Sequence, residues 1–314
     1  MELGMGEAKA LCESRAGGYT VLEYNPPVAL LECQREVDLG GLGGFVAESG
    51  VLLWRGRAAE LDPATMDVPP IEAPIKADAE GFGEGLNERI SRSLGERLTD
   101  VGARVDVRRP NMVLKAYRVD DYAYVAIIRP HKGKWRLKSV RDRPFHHPSV
   151  LVPRLARALV NLSRPRVGGV LLDPFSGTGG VLEEAEDVGC LPVGVDLDWR
   201  MARGSLRNAN WRGSLGGIVR GDARAIPISR ADCVASDLPY GRMSSAMGST
   251  TEELLQRVVE ELPGFLEPNG YAALMVRERV QPASMDGVNL LETYLHKVHD
   301  ALTRKILVYK VTGR

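Results

Sequence analysis

The 314-residue sequence has few cysteines and no long apolar run. Its four cysteines, at positions 12, 33, 190 and 233, form no C-x-x-C pair, so the sequence predicts neither a zinc ribbon nor a disulfide framework. No stretch of about 18 apolar residues is present, which argues against a membrane span. The first ten residues, MELGMGEAKA, lack the basic start and apolar core of a signal peptide. We therefore expect a cytoplasmic protein without a membrane partner.

Acidic residues are nearly missing from the middle of the chain, although the net charge of the whole is zero. Residues 1–100 carry 9 Lys/Arg and 18 Asp/Glu, residues 101–169 carry 16 and 4, and residues 170–314 carry 16 and 19. Between 129 and 166 there are 11 basic residues and one acid, Asp142. A solvated basic linker would account for this pattern, but the pattern is also typical of a phosphate-binding surface.

The first half of the chain predicts small α+β units. A hydrophobic fraction of 44% and a charged fraction of 26% are ordinary for a globular protein, and the length favours two or three domains. Apolar residues four apart over 85–98 predict an amphipathic helix. The runs 112–119 and 122–128, joined at two aspartates, predict a hairpin.

The second half predicts strands that alternate with helices, the pattern of a doubly wound parallel sheet. After a short helix over 154–162, the predicted strands are 170–173, 191–196, 217–220, 233–236 and 271–276. The predicted helices are 181–188, 199–211, 250–262 and 285–295. A closing hairpin is predicted from 298–302 and 306–311.

Aspartates follow four successive predicted strands, at Asp173, Asp196, Asp222 and Asp237. In a parallel sheet, ligands bind beyond the carboxyl ends of the strands. The first aspartate begins the loop DPFSGTGG, which is neither a P-loop nor G-x-G-x-x-G. Its carboxylate would repel a pyrophosphate, so a cationic or hydroxyl-rich ligand fits better.

The second and third aspartates suit a nucleoside. Asp196 is positioned to accept hydrogen bonds from ribose hydroxyls, and Asp222 could accept one from an adenine amine. One such aspartate is readily explained as a turn or helix N-cap residue. Four aspartates, each at the end of one of four successive predicted strands, favour a cofactor that contains adenosine but no polyphosphate. S-adenosylmethionine is such a cofactor.

The motifs DPFSGTGG, VGVD, GDA and DLPYGR, in this order, resemble those of the class I Rossmann-fold methyltransferases. DLPY is similar to the [DNS]-P-P-[YFW] signature of the enzymes that methylate exocyclic or amide nitrogens. With RPFHHPSVLVPRLARALVNL and HDALTRKILVYKV, the chain resembles the archaeal tRNA guanosine-10 N2-methyltransferases. The resemblance is closest over 140–314, extends over 100–130 and is slight over 1–100. Leu238, where the broader signature has proline, and Asp300, at a position often basic, depart from it.

The resemblance implies a domain order as well as an activity. It implies a ferredoxin-like α+β region over 1–66, a THUMP RNA-binding domain over 67–130, a basic linker over 131–152 and a methyltransferase domain with a doubly wound seven-stranded sheet and closing hairpin over 153–314. The implied partner is tRNA, with no metal and a chain that can act as a monomer. His146 and His147 have no further His or Cys at metal-ligand spacing.

The predicted site residues fall into three groups. The predicted cofactor contacts are Asp173, Pro174, Ser176, Gly177, Thr178, Gly179, Asp196, Leu197, Asp222, Ala223 and His147. The predicted catalytic residues are Asp237, Leu238, Pro239 and Tyr240. The predicted RNA contacts are Lys132, Lys134, Arg136, Lys138, Arg141 and Arg143.

The DLPY turn would hold an amine and a base. The amine of guanine is a poor nucleophile, and two acceptors, the Asp237 carboxylate and the Leu238 carbonyl, would draw its lone pair toward the methyl group. Pro239 would fix the turn because its φ is locked. Tyr240 would stack on the base, a contact worth about 1–3 kcal/mol.

Other functions share the same strand-end chemistry. Another tRNA or ribosomal RNA guanosine, or an adenine N6, would also present an amine. A methyltransferase of release-factor glutamine would have no need of the basic segment. An RNA-binding protein with a silent methyltransferase domain is the alternative of another class, and the complete set of strand-end aspartates argues against it. The motif does not distinguish mono- from dimethylation.

Overall fold

The chain divides into two compact units in the computed structural model, which describes residues 3–131, 142–148, 150–240 and 248–312. The large unit comprises Met1–Gly18, Leu42–Val46 and Gly133–Arg314. The small unit comprises Tyr19–Gly41 and Ala47–Lys132. Among the described residues, no helix is both long enough and apolar enough to cross a membrane.

The helices and strands are numbered in chain order. The helices are α1 (Leu3–Arg15), α2 (Leu39–Leu42), α3 (Leu86–Asp100), α4 (Pro153–Leu162), α5 (Gly180–Asp187), α6 (Trp199–Arg212) and α7 (Thr251–Phe265). The strands are β1 (Tyr19–Asn25), β2 (Val28–Cys33), β3 (Gly50–Arg57), β4 (Ile75–Glu80), β5 (Met112–Val119), β6 (Tyr122–Ile128), β7 (Val170–Asp173), β8 (Leu191–Asp196), β9 (Gly217–Arg220), β10 (Ala231–Asp237), β11 (Leu266–Arg277), β12 (Val288–His299) and β13 (Leu302–Val311).

The small unit contains a four-stranded sheet of order β3–β6–β5–β4 and a separate β1–β2 hairpin. The predicted β5–β6 hairpin is confirmed, and Asp120 at its turn takes the left-handed conformation (φ 53°) that tight hairpins require. The predicted helix is α3, which connects the parallel strands β4 and β5. Its Leu94 and Leu98 are fully buried against the sheet and so anchor the crossover.

The domain boundary at residue 66 stays a prediction, and two elements on its N-terminal side, β3 and α1, belong to different compact units. Strand β3 pairs antiparallel with β6, from Gly50 opposite Ile128 to Arg57 opposite Tyr122, and so belongs to the sheet of the small unit. Helix α1, which the sequence signalled only weakly, belongs to the large unit, where its Leu11 is fully buried. Strand β3 is placed by its backbone hydrogen bonds to β6, and helix α1 is placed by the burial of its apolar side chains.

The large unit contains the predicted seven-stranded sheet, with strand order β12–β13–β11–β10–β7–β8–β9. Strands β7 to β11 run parallel, and β13 inserts antiparallel between β11 and β12. The chain proceeds from β7 to β8 and β9 on one side, then returns to β10 and β11 on the other. The reversal of strand order therefore falls between β7 and β10, where such sheets bind ligands.

Two apolar layers cover the faces of this sheet. Leu171 belongs to one layer and Leu172 to the other, and both are fully buried. Because successive side chains of a strand point to opposite faces, a strand covered on both sides is apolar throughout. This is why β7 was predicted at its observed bounds.

The helix predicted over 285–295 is wrong, since this segment contributes to the edge strand β12. Strand β12 pairs with β13 along almost its whole length and so satisfies its backbone groups on that side. A bulge between Leu290 and Glu292 interrupts the alternation of buried and exposed residues. Because of this interruption, the segment lacks the regular alternation of apolar and polar residues that predicts a strand. The closing hairpin of β12 and β13 is therefore longer than predicted.

Candidate active site

Three aspartates end neighbouring strands of the large-unit sheet. Asp173 is the last residue of β7, Asp196 of β8 and Asp237 of β10. These strands are adjacent and parallel, so the three carboxyl groups meet at one edge, where the strand order reverses. Asp222 lies two residues after the end of β9.

Asp173 is the most deeply buried of these carboxyl groups, with 1% of the residue exposed. Its Oδ1 accepts hydrogen bonds from the Ser236 hydroxyl at 2.5 Å and from the Phe175 N–H at 3.1 Å. Burial raises its pKa to about 7, with a smaller contribution from the charges of Asp196 and Asp237, while the two hydrogen bonds act in the opposite direction. A cation beside this group would relieve the cost of its charge.

The glycine loop between β7 and α5 wraps the neighbouring carboxylate. Gly177 and Gly179 have φ angles of 52° and 86°, in the left-handed region that favours glycine. The Gly177 N–H donates to Asp196 Oδ2 at 2.9 Å. A Cβ at Gly179 would lie 2.6 Å from the Ser205 hydroxyl, so this position has no room for a side chain.

Asp196 is held by main-chain donors on both oxygens. Besides the Gly177 N–H on Oδ2, the Asp198 N–H donates to Oδ1 at 2.9 Å. Burial raises the pKa of Asp196, and the two N–H donors partly offset this rise. Each carboxylate oxygen has two lone pairs, so the group keeps capacity for ligand hydroxyls.

Asp222 differs because an arginine already contacts it. The Arg224 guanidinium donates to its Oδ2 at 2.6 Å, and this pair lowers the pKa of Asp222. Of the flanking residues predicted to contact the cofactor, Ala223 is buried and Leu197 half-buried. The role of Asp222 toward an adenine amine stays a prediction.

The DLPY turn follows β10 and is held from both sides. The Leu238 N–H donates to the Met275 carbonyl at 2.9 Å. The Thr251 hydroxyl, in the first turn of α7, donates to the Pro239 carbonyl at 3.0 Å. Leu238 is fully buried in the core, which explains why an apolar residue fits where the wider signature has proline. The turn therefore has a fixed backbone.

Two arginines that the sequence analysis missed surround the side chains of this turn. Arg304 Nη1 donates to Asp237 Oδ1 at 2.5 Å, and Arg304 Nη2 donates to the Tyr240 hydroxyl oxygen at 2.7 Å. The Arg277 guanidinium carbon lies 4.6 Å from the centre of the Tyr240 ring. Arg277 and Arg304 are opposite each other on β11 and β13. Only the pairing of strands distant in sequence brings these groups together.

Burial and charge oppose each other at Asp237, whose side chain is 18% exposed. Burial raises its pKa to about 6, and the charge and hydrogen bond of Arg304 act to lower it. At neutral pH the ionised form dominates. Asp237 can therefore accept hydrogen bonds from an amine.

The segment 142–148 is anchored on the large unit. Asn208 on α6 accepts a hydrogen bond from the Phe145 N–H at 2.9 Å and donates to the Phe145 carbonyl at 2.8 Å. The same Asn208 amide donates to the Thr178 carbonyl in the glycine loop at 2.9 Å. His147, a predicted cofactor contact two residues after Phe145, is half-buried.

Arg143, a predicted RNA contact, is a buried residue of the segment 142–148. The residue is 5% exposed, and its guanidinium contacts Glu183 on α5 at 2.9 Å. The contact of Arg143 with RNA stays a prediction. The other five predicted RNA contacts, Lys132, Lys134, Arg136, Lys138 and Arg141, lie outside the described residues.

Over residues 3–131, 142–148, 150–240 and 248–312, no group of three or more His, Cys, Asp or Glu side chains could hold a metal ion. The buried serines 176 and 205 each carry a hydroxyl oxygen without a hydrogen-bond partner in this part of the chain. Unsatisfied hydroxyls beside a glycine loop are suited to a polar organic ligand.

Residues 141–306, more than half of the chain, match the family model described as UPF0020, RMKL-like, methyltransferase domain. The chain belongs to this methyltransferase family. It is 28% identical over 268 residues to a tRNA (guanine(10)-N2)-dimethyltransferase of Methanocaldococcus jannaschii, covering 79% of this chain and 74% of the relative. A protein of the same name from Methanothermobacter thermautotrophicus is 30% identical over 243 residues, 72% of this chain and 69% of the relative.

A solved structure agrees with the fold of this family. The chain is similar to the crystal structure of a possible methylase from Clostridium difficile 630, with a TM-score of 0.51 and 14% identity, covering 99% of this chain and 96% of the other. The predicted Rossmann-like methyltransferase fold is confirmed, as is the resemblance on which it rested.

Proposed function

We propose that this enzyme methylates the exocyclic N2 amine of guanosine 10 in tRNA, with S-adenosylmethionine as the methyl donor. The observation that carries the proposal is the DLPY turn, in which Asp237 and Tyr240 are bridged by Arg304 at the same sheet edge as Asp173 and Asp196. Relatives at 28–30% identity over most of the chain are named tRNA (guanine(10)-N2)-dimethyltransferases, which supports guanosine 10 among the alternatives.

The donors and acceptors at this edge fit S-adenosylmethionine. Asp196 would accept hydrogen bonds from the ribose hydroxyls. The buried hydroxyls of Ser176 and Ser205 would form hydrogen bonds with polar groups of the methionine part. The Asp173 carboxylate would face its positive charge, which a pyrophosphate lacks. When bound, the cofactor supplies an electrophilic methyl group on a sulfonium. Pro174, Thr178, Leu197, Asp222, Ala223 and His147 would complete its pocket.

The residues of the turn orient the amine. The lone pair of guanine N2 is delocalised into the ring, so the nitrogen must be polarised as it reacts. The Asp237 carboxylate would accept a hydrogen bond from one N2–H and the Leu238 carbonyl a hydrogen bond from the other. As the N–C bond to the methyl group formed, the methyl–sulfur bond would break and release S-adenosylhomocysteine, and the one proton lost from N2 would pass to the Asp237 carboxylate. The Tyr240 ring would support the flat base. Positioning of this kind accounts for most of the rate when no strong base is required.

The nucleotide must leave its helix before it reaches the turn. Turning a base out of a stem costs a few kcal/mol, which enzymes that act on bases offset with other contacts. We propose that the basic stretch containing Lys132, Lys134, Arg136, Lys138 and Arg141 offsets it by binding phosphates. Such contacts weaken with salt and read RNA shape more than sequence. The small unit would act as a THUMP domain and bind RNA as well.

Methyl transfer to an unmodified tRNA transcript tests the proposal. The wild-type chain and the variant Asp237→Ala would be incubated with radiolabelled S-adenosylmethionine, and the product digested and analysed by mass spectrometry. We expect one or two methyl groups on N2 of guanosine 10 with the wild type. We expect at least a 100-fold slower rate with the variant, which loses a charged acceptor from the site.

Two controls separate chemistry from folding and binding. Asp286→Asn alters an exposed carboxylate after β11 and should leave the rate unchanged. Filter binding should detect tRNA retention by Asp237→Ala. A methyl group on another nucleotide, or full activity of Asp237→Ala, would refute the assigned target or the assigned residue.

A further inference from the structure

The guanidinium of Arg304 joins the two functional side chains of the DLPY turn. Nη1 contacts Asp237 at 2.5 Å and Nη2 contacts the Tyr240 hydroxyl at 2.7 Å. The planar fork of an arginine fixes the spacing of two acceptors, which a lysine cannot do. Arg304 is itself 7% exposed, so its own position is restricted. One buried side chain therefore sets the geometry of two others.

We propose that Arg304 is a positioning residue for methyl transfer, which keeps Asp237 in its ionised form and leaves one carboxylate oxygen for the substrate amine. That the amine belongs to guanosine 10 rests on the proposed function. The contacts of Arg304 with Asp237 and Tyr240 do not depend on it. In the described part of the chain, Arg304 is the hydrogen-bond partner of the Asp237 carboxylate, and it occupies Oδ1. Oδ2 is then the oxygen that accepts an N2–H hydrogen.

The charges around Asp237 make Arg304 decisive. Strand β7 contributes Asp173, whose pKa is raised by burial and, to a smaller extent, by the charge of Asp237. Strand β11 contributes Arg277, which lies over the Tyr240 ring. Strand β13 contributes Arg304, whose charge and hydrogen bond favour the carboxylate and oppose the effect of burial. Without Arg304, a larger share of Asp237 would carry a proton and would lose acceptor capacity at neutral pH.

Arg304 also assigns the direction of the Tyr240 hydroxyl hydrogen. Because Nη2 donates to the hydroxyl oxygen, the single O–H hydrogen points away from Arg304. The ring is thus held at its oxygen by Arg304 and over its face by Arg277. A ring restrained in this way offers the base a fixed stacking surface.

Titration of Asp237 tests the proposal without any substrate. The full-length chain would be labelled with 13C at the aspartate carboxyl carbons and followed by NMR from pH 4 to 9, with Asp237→Asn used to identify the signal. We expect the pKa of Asp237 to rise by about one unit or more in Arg304→Gln, and to move less in Arg304→Lys, which keeps the charge. A signal that titrates as in the wild type in Arg304→Gln would overturn the proposal.

The pH dependence of single-turnover methylation supplies a second readout. In Arg304→Gln the acid limb should move to higher pH, with about a 10-fold lower rate near pH 6 and a smaller deficit at pH 8.5. Asp237→Asn should lose the part of the acid limb that responds to Arg304, so that adding Arg304→Gln to it should change the pH profile little. The exposed Arg257→Gln on α7 is the matched control. An equal loss at every pH would identify Arg304 as a structural residue only and would contradict the proposal.

Folding and function can be told apart in these tests. Circular dichroism reports whether Arg304→Gln folds, and Arg304→Lys keeps the test available if it does not. If the wild type does not methylate tRNA yet Asp237 titrates higher in the Arg304 variants, the proposed substrate fails and the role of Arg304 stands. If tRNA is methylated but the Asp237 titration is unaffected, the role of Arg304 fails and the proposed function stands.

Discussion

The loop after β7 and the turn after β10 both begin at a buried aspartate, but their carboxylates are compensated in different ways. On the loop side, Asp173 and Asp196 accept hydrogen bonds from main-chain N–H groups and one serine hydroxyl. On the turn side, Asp237 accepts a hydrogen bond from the charged guanidinium of Arg304. Neutral dipoles leave a buried charge costly, whereas an opposite charge offsets part of that cost, and the pKa of Asp237 accordingly rises less than that of Asp173.

The difference predicts that substituting the two aspartates has opposite effects on stability, because only the loss of the Asp237 carboxylate leaves a buried arginine without its ion-pair partner. At Asp173, loss of charge removes a cost that the fold alone does not offset. At Asp237, loss of charge leaves Arg304 buried without its carboxylate. We infer that the first site is completed by a cationic ligand, while the second is completed within the chain.

The largest effect is expected for Asp237→Ala. Removing one partner of a buried ion pair is strongly destabilising, and we expect a loss of about 3 kcal/mol in the free energy of unfolding at pH 7.5. Urea unfolding followed by circular dichroism measures this loss. The double variant with Arg304→Met should recover most of it. A loss below about 1 kcal/mol would mean that the pair behaves as a surface ion pair.

Asp173→Asn should raise the free energy of unfolding, whereas Asp237→Ala lowers it. The folded-state pKa of about 7 exceeds the ordinary value of 3.8, so the folded state holds the proton more tightly. The contribution of Asp173 to stability is then full below about pH 4 and is lost as pH rises through 7. We expect the variant to be more stable than the wild type by about 2–3 kcal/mol at pH 8 and by nothing at pH 4. Thermal unfolding at both pH values decides this, and an equal change at both would contradict it.

Cofactor affinity should separate Asp196 from Asp222. We expect Asp196→Ala to weaken binding of S-adenosylmethionine about 10- to 100-fold, or about 1.4–2.8 kcal/mol, because it loses both ligand contacts and the support of the glycine loop. Asp222→Ala should weaken binding less, since Arg224 already occupies that carboxylate. Isothermal titration calorimetry compares the two. A larger effect at Asp222 would reverse their assigned importance.

The smallest effect is expected at Thr251. Thr251→Val keeps the side-chain shape but removes the hydroxyl that donates to the Pro239 carbonyl, at a cost of about 1 kcal/mol. The turn should loosen, and the methylation rate should fall by a few fold. Thr250→Ala removes only the N-cap of α7 and should cost similar stability without lowering the rate. Equal rates in both variants would show that the Pro239 contact does not matter for the turn.

Local patterns predicted most of the elements of the sheet. Strands buried on both faces, such as β7 and β8, are short apolar runs that end at a polar residue, so their bounds could be read directly. Helix α7 carries its own N-terminal capping box at Thr250 and Glu253. Helix α1 lacks such signals, and its burial depends on contacts with distant elements, including Tyr294, whose ring lies against Gly6.

The sequence by itself determined the four strand-end aspartates, the glycine loop and the DLPY turn, because each is written in consecutive residues next to a strand. Tertiary structure alone decided that Arg304 serves Asp237, since 67 residues separate the two in the chain. It also decided that Arg143 is buried and that β12 is a strand. Pairing between distant strands fixes which side chains meet, and no local pattern records that pairing.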